Sequence, residues 1–148
     1  MEGILRQCDA FTDGEIAGAQ KLMDHALQHP ESDEYLFFVA EGEGSVWGYV
    51  CYGDAPFTDG VYDVYWLAVH PARLGLGVGR ALLEAAEGDV RDRGGRMLLI
   101  DTASKPSYDM TRAFYEHLGY RETARVRDYY RVGDDKVIYA KRLGSLPR

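Results

Sequence analysis

The feature that most narrows what this chain can fold into is a strand, a glycine-rich turn and a helix in direct succession. Tyr65-Trp66-Leu67-Ala68-Val69 is apolar nearly throughout, the composition of a central strand buried on both faces. Gly75-Leu76-Gly77-Val78-Gly79-Arg80 follows. Val78, Leu82, Ala85, Ala86 and Val90 then mark the inner face of a helix that runs to about Arg93 and ends at Gly94-Gly95. A helix start carries unpaired backbone N–H groups and a partial positive charge. Glycines just before it let an anion approach those groups closely. Each hydrogen bond to a charged acceptor contributes about 1.5–3 kcal/mol, so several would hold a diphosphate without a metal. Arg80 adds a charge at the same place. Glycine also makes plain turns, so the run alone says only that an anion fits.

Two nucleotide motifs are excluded by inspection. A dinucleotide fingerprint needs G-x-G-x-x-G, but its third glycine falls on Arg80 when counted from Gly75 and on Leu82 when counted from Gly77. A P-loop needs Lys and Ser/Thr after its last glycine, where this chain has Arg80-Ala81.

The flanking sequence supplies the other elements. Ile4–Cys8 reads as a first strand, and Thr12-Asp13-Gly14-Glu15 as a capping box opening a helix that Pro30 stops. Ile16, Ala19, Met23, Ala26 and Leu27 lie at helical spacing within it. Tyr35–Glu41 and Ser45–Tyr52 form a hairpin, and Val61–His70 is the next strand. Arg96–Thr102 is a strand, and Asp109–Leu118 a short helix with Met110, Ala113 and Phe114 inside, closed by Gly119. Tyr120–Arg127 and Lys136–Lys141 are closing strands. The order β-α-β-β-β-α-β-α-β-β predicts a mixed sheet with helices packed on its faces.

Composition sets the class. The chain has 148 residues, 46% hydrophobic, without repeats or low-complexity tracts, so one globular domain over 1–148 is the simplest reading. No apolar run reaches the roughly 20 residues of a bilayer span, and the N-terminus lacks a signal-peptide layout, which makes the cytoplasm the default location. Acidic residues outnumber basic ones 24 to 17. That balance argues against nucleic acid and suits a cationic partner such as an amine, although solubility alone explains it equally. Cys8 and Cys51 form neither metal spacing nor a disulfide framework and read as small buried hydrophobes. His25 and His29 share a helix face without a third ligand, so no metal is expected. His70 belongs to the turn before Pro71, and His117 suits a helix C-terminus.

Leu67-Ala68-Val69-His70-Pro71 followed by Gly75-Leu76-Gly77-Val78-Gly79-Arg80-Ala81-Leu82-Leu83 resembles the acetyl-CoA motif of the GNAT (Gcn5-related) N-acetyltransferase superfamily. Thr111-Arg112-Ala113-Phe114-Tyr115-Glu116-His117-Leu118-Gly119-Tyr120 resembles that family's later tyrosine motif, and the order of elements fits over nearly the whole chain. The resemblance implies an α+β fold, one domain with a mostly antiparallel mixed sheet of about seven strands and three to four flanking helices, splayed at the acetyl-CoA cleft. It implies that backbone groups of Leu67 and Val69, with Ala68 between them, pair with the pantetheine arm. A bulge in that strand would splay it from Ile100–Thr102. Amides of Gly75, Leu76, Gly77, Val78, Gly79 and Arg80 would hold the pyrophosphate. Two cofactor-binding positions depart from the family pattern: Leu74 stands where Gln or Arg is usual, so that contact is lost or supplied by Arg73, and Tyr108 stands where Asn is common.

An amine attacks a thioester only when neutral, and alkyl and α-amines have reference pKa values of about 10.4 and 8. A proton acceptor is therefore needed, and a donor for the leaving thiolate helps. Tyr115 matches the family tyrosine and is the candidate donor, with packing on the sheet as the alternative and Phe114 as its buried partner. Asp101 is the first candidate base, ahead of Asp63 and Tyr65 or a water chain. Tyr129-Tyr130 resembles the tail of ribosomal-protein alanine acetyltransferases and would line the acceptor site or form a packing pair. Both cysteines lie outside the motifs, which favours direct transfer in a ternary complex over an acyl-cysteine route. The expected acceptor is a small amine, amino acid or amino sugar. A protein N-terminus or lysine is the alternative acceptor, and a non-catalytic acyl-CoA sensor the alternative from another class. Nothing in the sequence selects for or against a homodimer.

Overall fold

The computed structural model describes residues 13–32 and 34–144. Helix α1 is Asp13–Gln28, followed by β1 Leu36–Gly42, β2 Ser45–Asp54 and β3 Val61–Val69. Helix α2 is Val78–Asp92, then β4 Met97–Ala103, helix α3 Asp109–His117, β5 Arg121–Arg131 and β6 Asp134–Arg142. The expected strand Ile4–Cys8 and the cap residue Thr12 lie outside the described residues.

Among the described residues the sheet has six strands in the order β1-β2-β3-β4-β6-β5. Four of its five ladders are antiparallel, and only β3 and β4 run parallel. Parallel neighbours need a crossover, and α2 supplies it. The expected fold class therefore holds. The described sheet has six strands rather than about seven because the count included Ile4–Cys8.

Strand alternation divides the sheet into two unlike faces. On one, Val50, Tyr52, Val64, Leu98, Ile100, Val137 and Tyr139 pack against Val78, Leu82, Leu83, Ala86 and Val90 of α2 and Tyr115 of α3. On the other, a smaller cluster joins Met23 of α1 to Tyr49 and Ala68.

Three expectations about burial change. In α3, Met110 is 87% exposed and Ala113 is exposed, while Phe114 is half-buried and Tyr115 is 7% exposed. The helix docks through its C-terminal half, where Tyr115 meets the rings of Tyr120 and Tyr139, so the tyrosine rather than Phe114 is the buried residue. In α2, Ala85 is half-buried, and Leu83 and Glu87 join the inner face. Glu87 goes inside because Tyr120 Oη donates to it at 2.8 Å and Lys141 Nζ at 3.0 Å. Strand β3 is central, yet only Val61, Val64 and Ala68 of its nine residues are buried. Its C-terminal half loses one strand neighbour, as described below. Among the described residues no helix is long and apolar enough to cross a membrane.

Candidate functional site

The site begins with an irregularity in β3. Cys51 pairs with Trp66 and Tyr52 with Val64, so Tyr65 is an extra residue in the strand. Extra residues of this kind bend a strand and end pairing. On the other edge, the parallel ladder with β4 runs from Val61–Met97 to Val64–Ile100 and stops at that step. Leu67, Ala68 and Val69 continue on β2 alone, opposite Val50, Tyr49 and Gly48. Beyond Ile100, β4 keeps its pairing with β6 through Ala103. The two central strands thus part where the family resemblance implied a splay.

The glycine turn lies at the end of the parted β3. Pro71–Arg73 forms one 3-10 turn, and His70 Nδ1 accepts from the Ala72 amide at 3.0 Å, the turn role expected of His70. Gly75 and Gly77 have φ of 77° and 81°, and Gly77 caps α2 without a side-chain bond. A Cβ at either position would meet nothing within 4 Å. Glycine is there for its backbone angle and leaves the space before the helix open. The Ala81 amide is bonded to Gly77 O at 3.0 Å, so by helix geometry the amides of Val78, Gly79 and Arg80 lead the first turn without an intrahelical partner. A Cβ on Gly79 would stand 3.3 Å from Phe114 and 3.5 Å from Val69, so this glycine lets α2, α3 and β3 converge.

Side chains contribute little to this cradle. Leu74 and Leu76 are 64% and 65% exposed. Arg80 Nε bonds Glu84 at 2.8 Å, an exposed pair, and that carboxylate offsets its charge. Arg73 is engaged elsewhere: its guanidinium bonds Glu43 at 2.8 Å and lies 4.4 Å from the Trp47 ring.

Helix α3 meets the end of β4 through Arg112, whose Nη1 donates to Ala103 O at 2.7 Å and Lys105 O at 3.2 Å. Asp134 holds the same loop by accepting from the Ser104 and Lys105 amides, both at 3.1 Å. This fixes Tyr115 on the face of the sheet that α2 covers. Burial, and then Tyr108, raise the Tyr115 pKa, so the side chain stays a phenol over the working range. Tyr108 caps α3, with Lys105 Nζ 5.2 Å from its ring. Thr102 of β4, 5% exposed, has no hydrogen-bond partner for its hydroxyl among the described residues.

The opposite face carries a different chemistry. Asp101 is exposed, and its carboxylate meets Lys136 Nζ at 3.2 Å. Lys136 Nζ also lies 4.7 Å from the Tyr129 ring. Asp63 is half-buried, and its pKa is raised by burial first and by Asp101 second, with Lys136 opposing. Burial, then the Asp63 charge, push Tyr65 up to about 12. Tyr65 packs edge-on to Tyr35 at 5.4 Å, and Tyr35 packs on His25 at 5.1 Å. His25 and His29 pair with Glu34 and Glu31 at 2.9 and 3.7 Å. Tyr129 and Tyr130 stack edge-on to each other at 5.0 Å and are 55% and 42% exposed. Cys51 is buried, and burial pushes its thiol up to about 12.

The structure therefore brings Leu67, Val69, the glycine turn, Tyr108 and Tyr115 to one side of the parted strands, with the side chain of the intervening Ala68 facing α1. It puts Asp101, Asp63 and Tyr65 on the other. Sequence reading missed Lys136, Glu34, Tyr35 and Thr102. Strand alternation puts Lys136 on the Asp101 face, but only through the β4–β6 register, which the sequence does not carry.

A family model described as an acetyltransferase (GNAT) domain matches residues 33–122. An uncharacterised N-acetyltransferase of Methanocaldococcus jannaschii is 31% identical over 106 residues, covering 72% of this chain and 65% of that protein, so the chain spans just under two thirds of the relative's length. A crystal structure assigned to the GNAT acetyltransferase family, from Desulfovibrio desulfuricans, matches with a TM-score of 0.93 at 40% identity, covering 97% of this chain and 90% of that one. An aminoglycoside 6'-N-acetyltransferase complexed with coenzyme A shares the fold with a TM-score of 0.76 at 17% identity, covering 99% of this chain and 91% of that one.

Proposed function

Because the chain belongs to the GNAT acetyltransferase family, we propose that it transfers an acetyl group from acetyl-CoA to a primary amine by direct attack in a ternary complex. A small amine, amino acid or amino sugar is the acceptor in this reading. The observation that carries it is the parting of β3 from β4 at Val64–Ile100, with positive-φ glycines and a helix start at one end and titratable side chains on both faces.

The cradle residues fit a diphosphate. Amides at the start of α2 take its oxygens, with Gly75 and Gly77 supplying the angles and Leu74, Leu76 and Val78 the surrounding backbone. In this reading the pantetheine arm lies along Leu67, Ala68 and Val69, which have no β4 ladder, and Tyr108, a neighbour of Tyr115, flanks it. Acetyl-CoA supplies the acyl carbon as a thioester.

The amine enters from the acidic face, where Asp101 and Asp63 attract its ammonium form and accept the proton it must lose. Burial, and then the Asp101 charge, raise the Asp63 pKa, and a stronger base takes an amine proton more readily. The neutral amine nitrogen then bonds to the acyl carbon as the carbon–sulfur bond breaks, and the second proton that the nitrogen sheds on becoming an amide passes to solvent. Tyr115 gives its phenolic proton to the departing sulfur and regains one from solvent. No acyl-cysteine is needed, and Cys51 is buried with its thiol held protonated by a raised pKa.

The test is a screen for CoA thiol release with acetyl-CoA and a panel of polyamines, amino acids, aminoglycosides and peptide N-termini. Release with a small amine is expected. Release only with peptides would move the acceptor to proteins. Binding of acetyl-CoA without release from any amine would make the chain a sensor.

A further inference from the structure

A hydroxyl sits in the wrong place for a purely structural residue. Thr102 is the second β4 residue beyond the last β3–β4 pair. Its side chain shares the face of Leu98 and Ile100, the face on which Tyr115 is also buried. It is 5% exposed, its neighbour across the β4–β6 ladder is the fully buried Val137, and its Oγ1 has no partner among the described residues. Burying a hydroxyl without a hydrogen bond is unfavourable, and valine would fill the same shape without that cost. A polar atom kept in such surroundings needs a partner, and the described residues do not supply one.

We propose that the Thr102 hydroxyl is a cofactor contact, hydrogen-bonding the acyl-bearing pantetheine arm where it lies between the parted ends of β3 and β4. The inference rests on the acetyl-CoA reading above and adds a side-chain contact to a cleft otherwise built from backbone. It accounts for a hydroxyl on the inward face, where Leu98 and Ile100 are aliphatic. A thioester arm offers amide and acyl oxygens that a threonine can donate to, and amide N–H groups that it can accept from.

Calorimetric titration of wild type, Thr102→Val and Thr102→Ser with acetyl-CoA tests this. Adenosine 3′-phosphate 5′-diphosphate, which carries the diphosphate but no arm, serves as a second ligand, and melting is recorded without ligand. The proposal expects Thr102→Val to melt no lower than wild type and to bind acetyl-CoA about tenfold more weakly, the scale of one hydrogen bond. It should bind the armless ligand as wild type does, and Thr102→Ser should keep most of the affinity. A lower melting temperature for Thr102→Val would overturn the proposal, since the hydroxyl would then have a structural partner. Unchanged acetyl-CoA affinity, or equal weakening of both ligands, would also overturn it. Failure of the wild type to bind acetyl-CoA would instead remove the reading of function beneath it.

Discussion

The two faces of the sheet solve different problems with different materials. On the α2 and α3 face, the candidate donor site is mostly backbone: glycines at positive φ, leading amides of a helix, and a strand that has lost one neighbour. Its main titratable side chain, Tyr115, is packed into the core. On the other face, the candidate acceptor site is mostly side chains: Asp63, Asp101, Lys136, Tyr65 and Tyr35, drawn from three strands and the loop before β1. The contrast suggests that a shared donor is held by conformation, while the acceptor is chosen by side chains that substitution can alter without disturbing the fold.

Substitutions that separate the faces sharpen this picture. The largest expected effect is on Tyr115. General acid catalysis typically contributes about 10²–10⁴-fold, so Tyr115→Phe should lower kcat by at least about a hundredfold. Acetyl-CoA affinity should stay within about threefold, because the ring keeps its packing and one neutral hydrogen bond is the most that is lost. Equal losses in kcat and affinity would assign Tyr115 to binding. Next comes Gly77→Val, which forces a β-branched residue to φ near 81°. Losing two amide contacts of about 1.5 kcal/mol each would weaken acetyl-CoA binding roughly a hundredfold, with the acceptor KM unchanged. Retained affinity in a folded variant would show that the turn is only a turn.

These two predictions concern the part of the molecule that could be read from sequence. Glycines at a helix start, an apolar strand and the Phe114-Tyr115 motif act locally, so their order along the chain carries their meaning. What could not be read depends on register and docking. Phe114 and Tyr115 are adjacent, and only the way α3 settles on Tyr120 and Tyr139 decides which is buried. Asp101 was legible as a strand residue, but its ion pair depends on the β4–β6 register that brings Lys136 alongside. Thr102 carries no mark of its own in the sequence, because its place beside the cleft depends on β3 leaving β4 two residues earlier.

The smallest of the expected effects lies on the acidic face. Asp63→Asn should lower kcat/KM for a cationic amine by about tenfold and shift the acidic limb of its pH profile. Its effect on stability should have the opposite sign. The folded-state pKa of Asp63 is raised, chiefly by burial, so this group favours folding below the ordinary carboxylate range and loses that contribution as pH rises through the raised value. The variant should therefore melt slightly above wild type at neutral pH, and the difference should vanish in acid. A variant that melts lower at neutral pH would mean that the Lys136 attraction outweighs burial.

The central claim is that donor and acceptor occupy opposite faces of the parted strands at the same time. Initial rates measured while acetyl-CoA and a turned-over amine are varied together test it most directly. Simultaneous occupancy predicts reciprocal plots that intersect, with an amine analogue binding the CoA complex. Parallel plots, with CoA released before the amine binds, would contradict it.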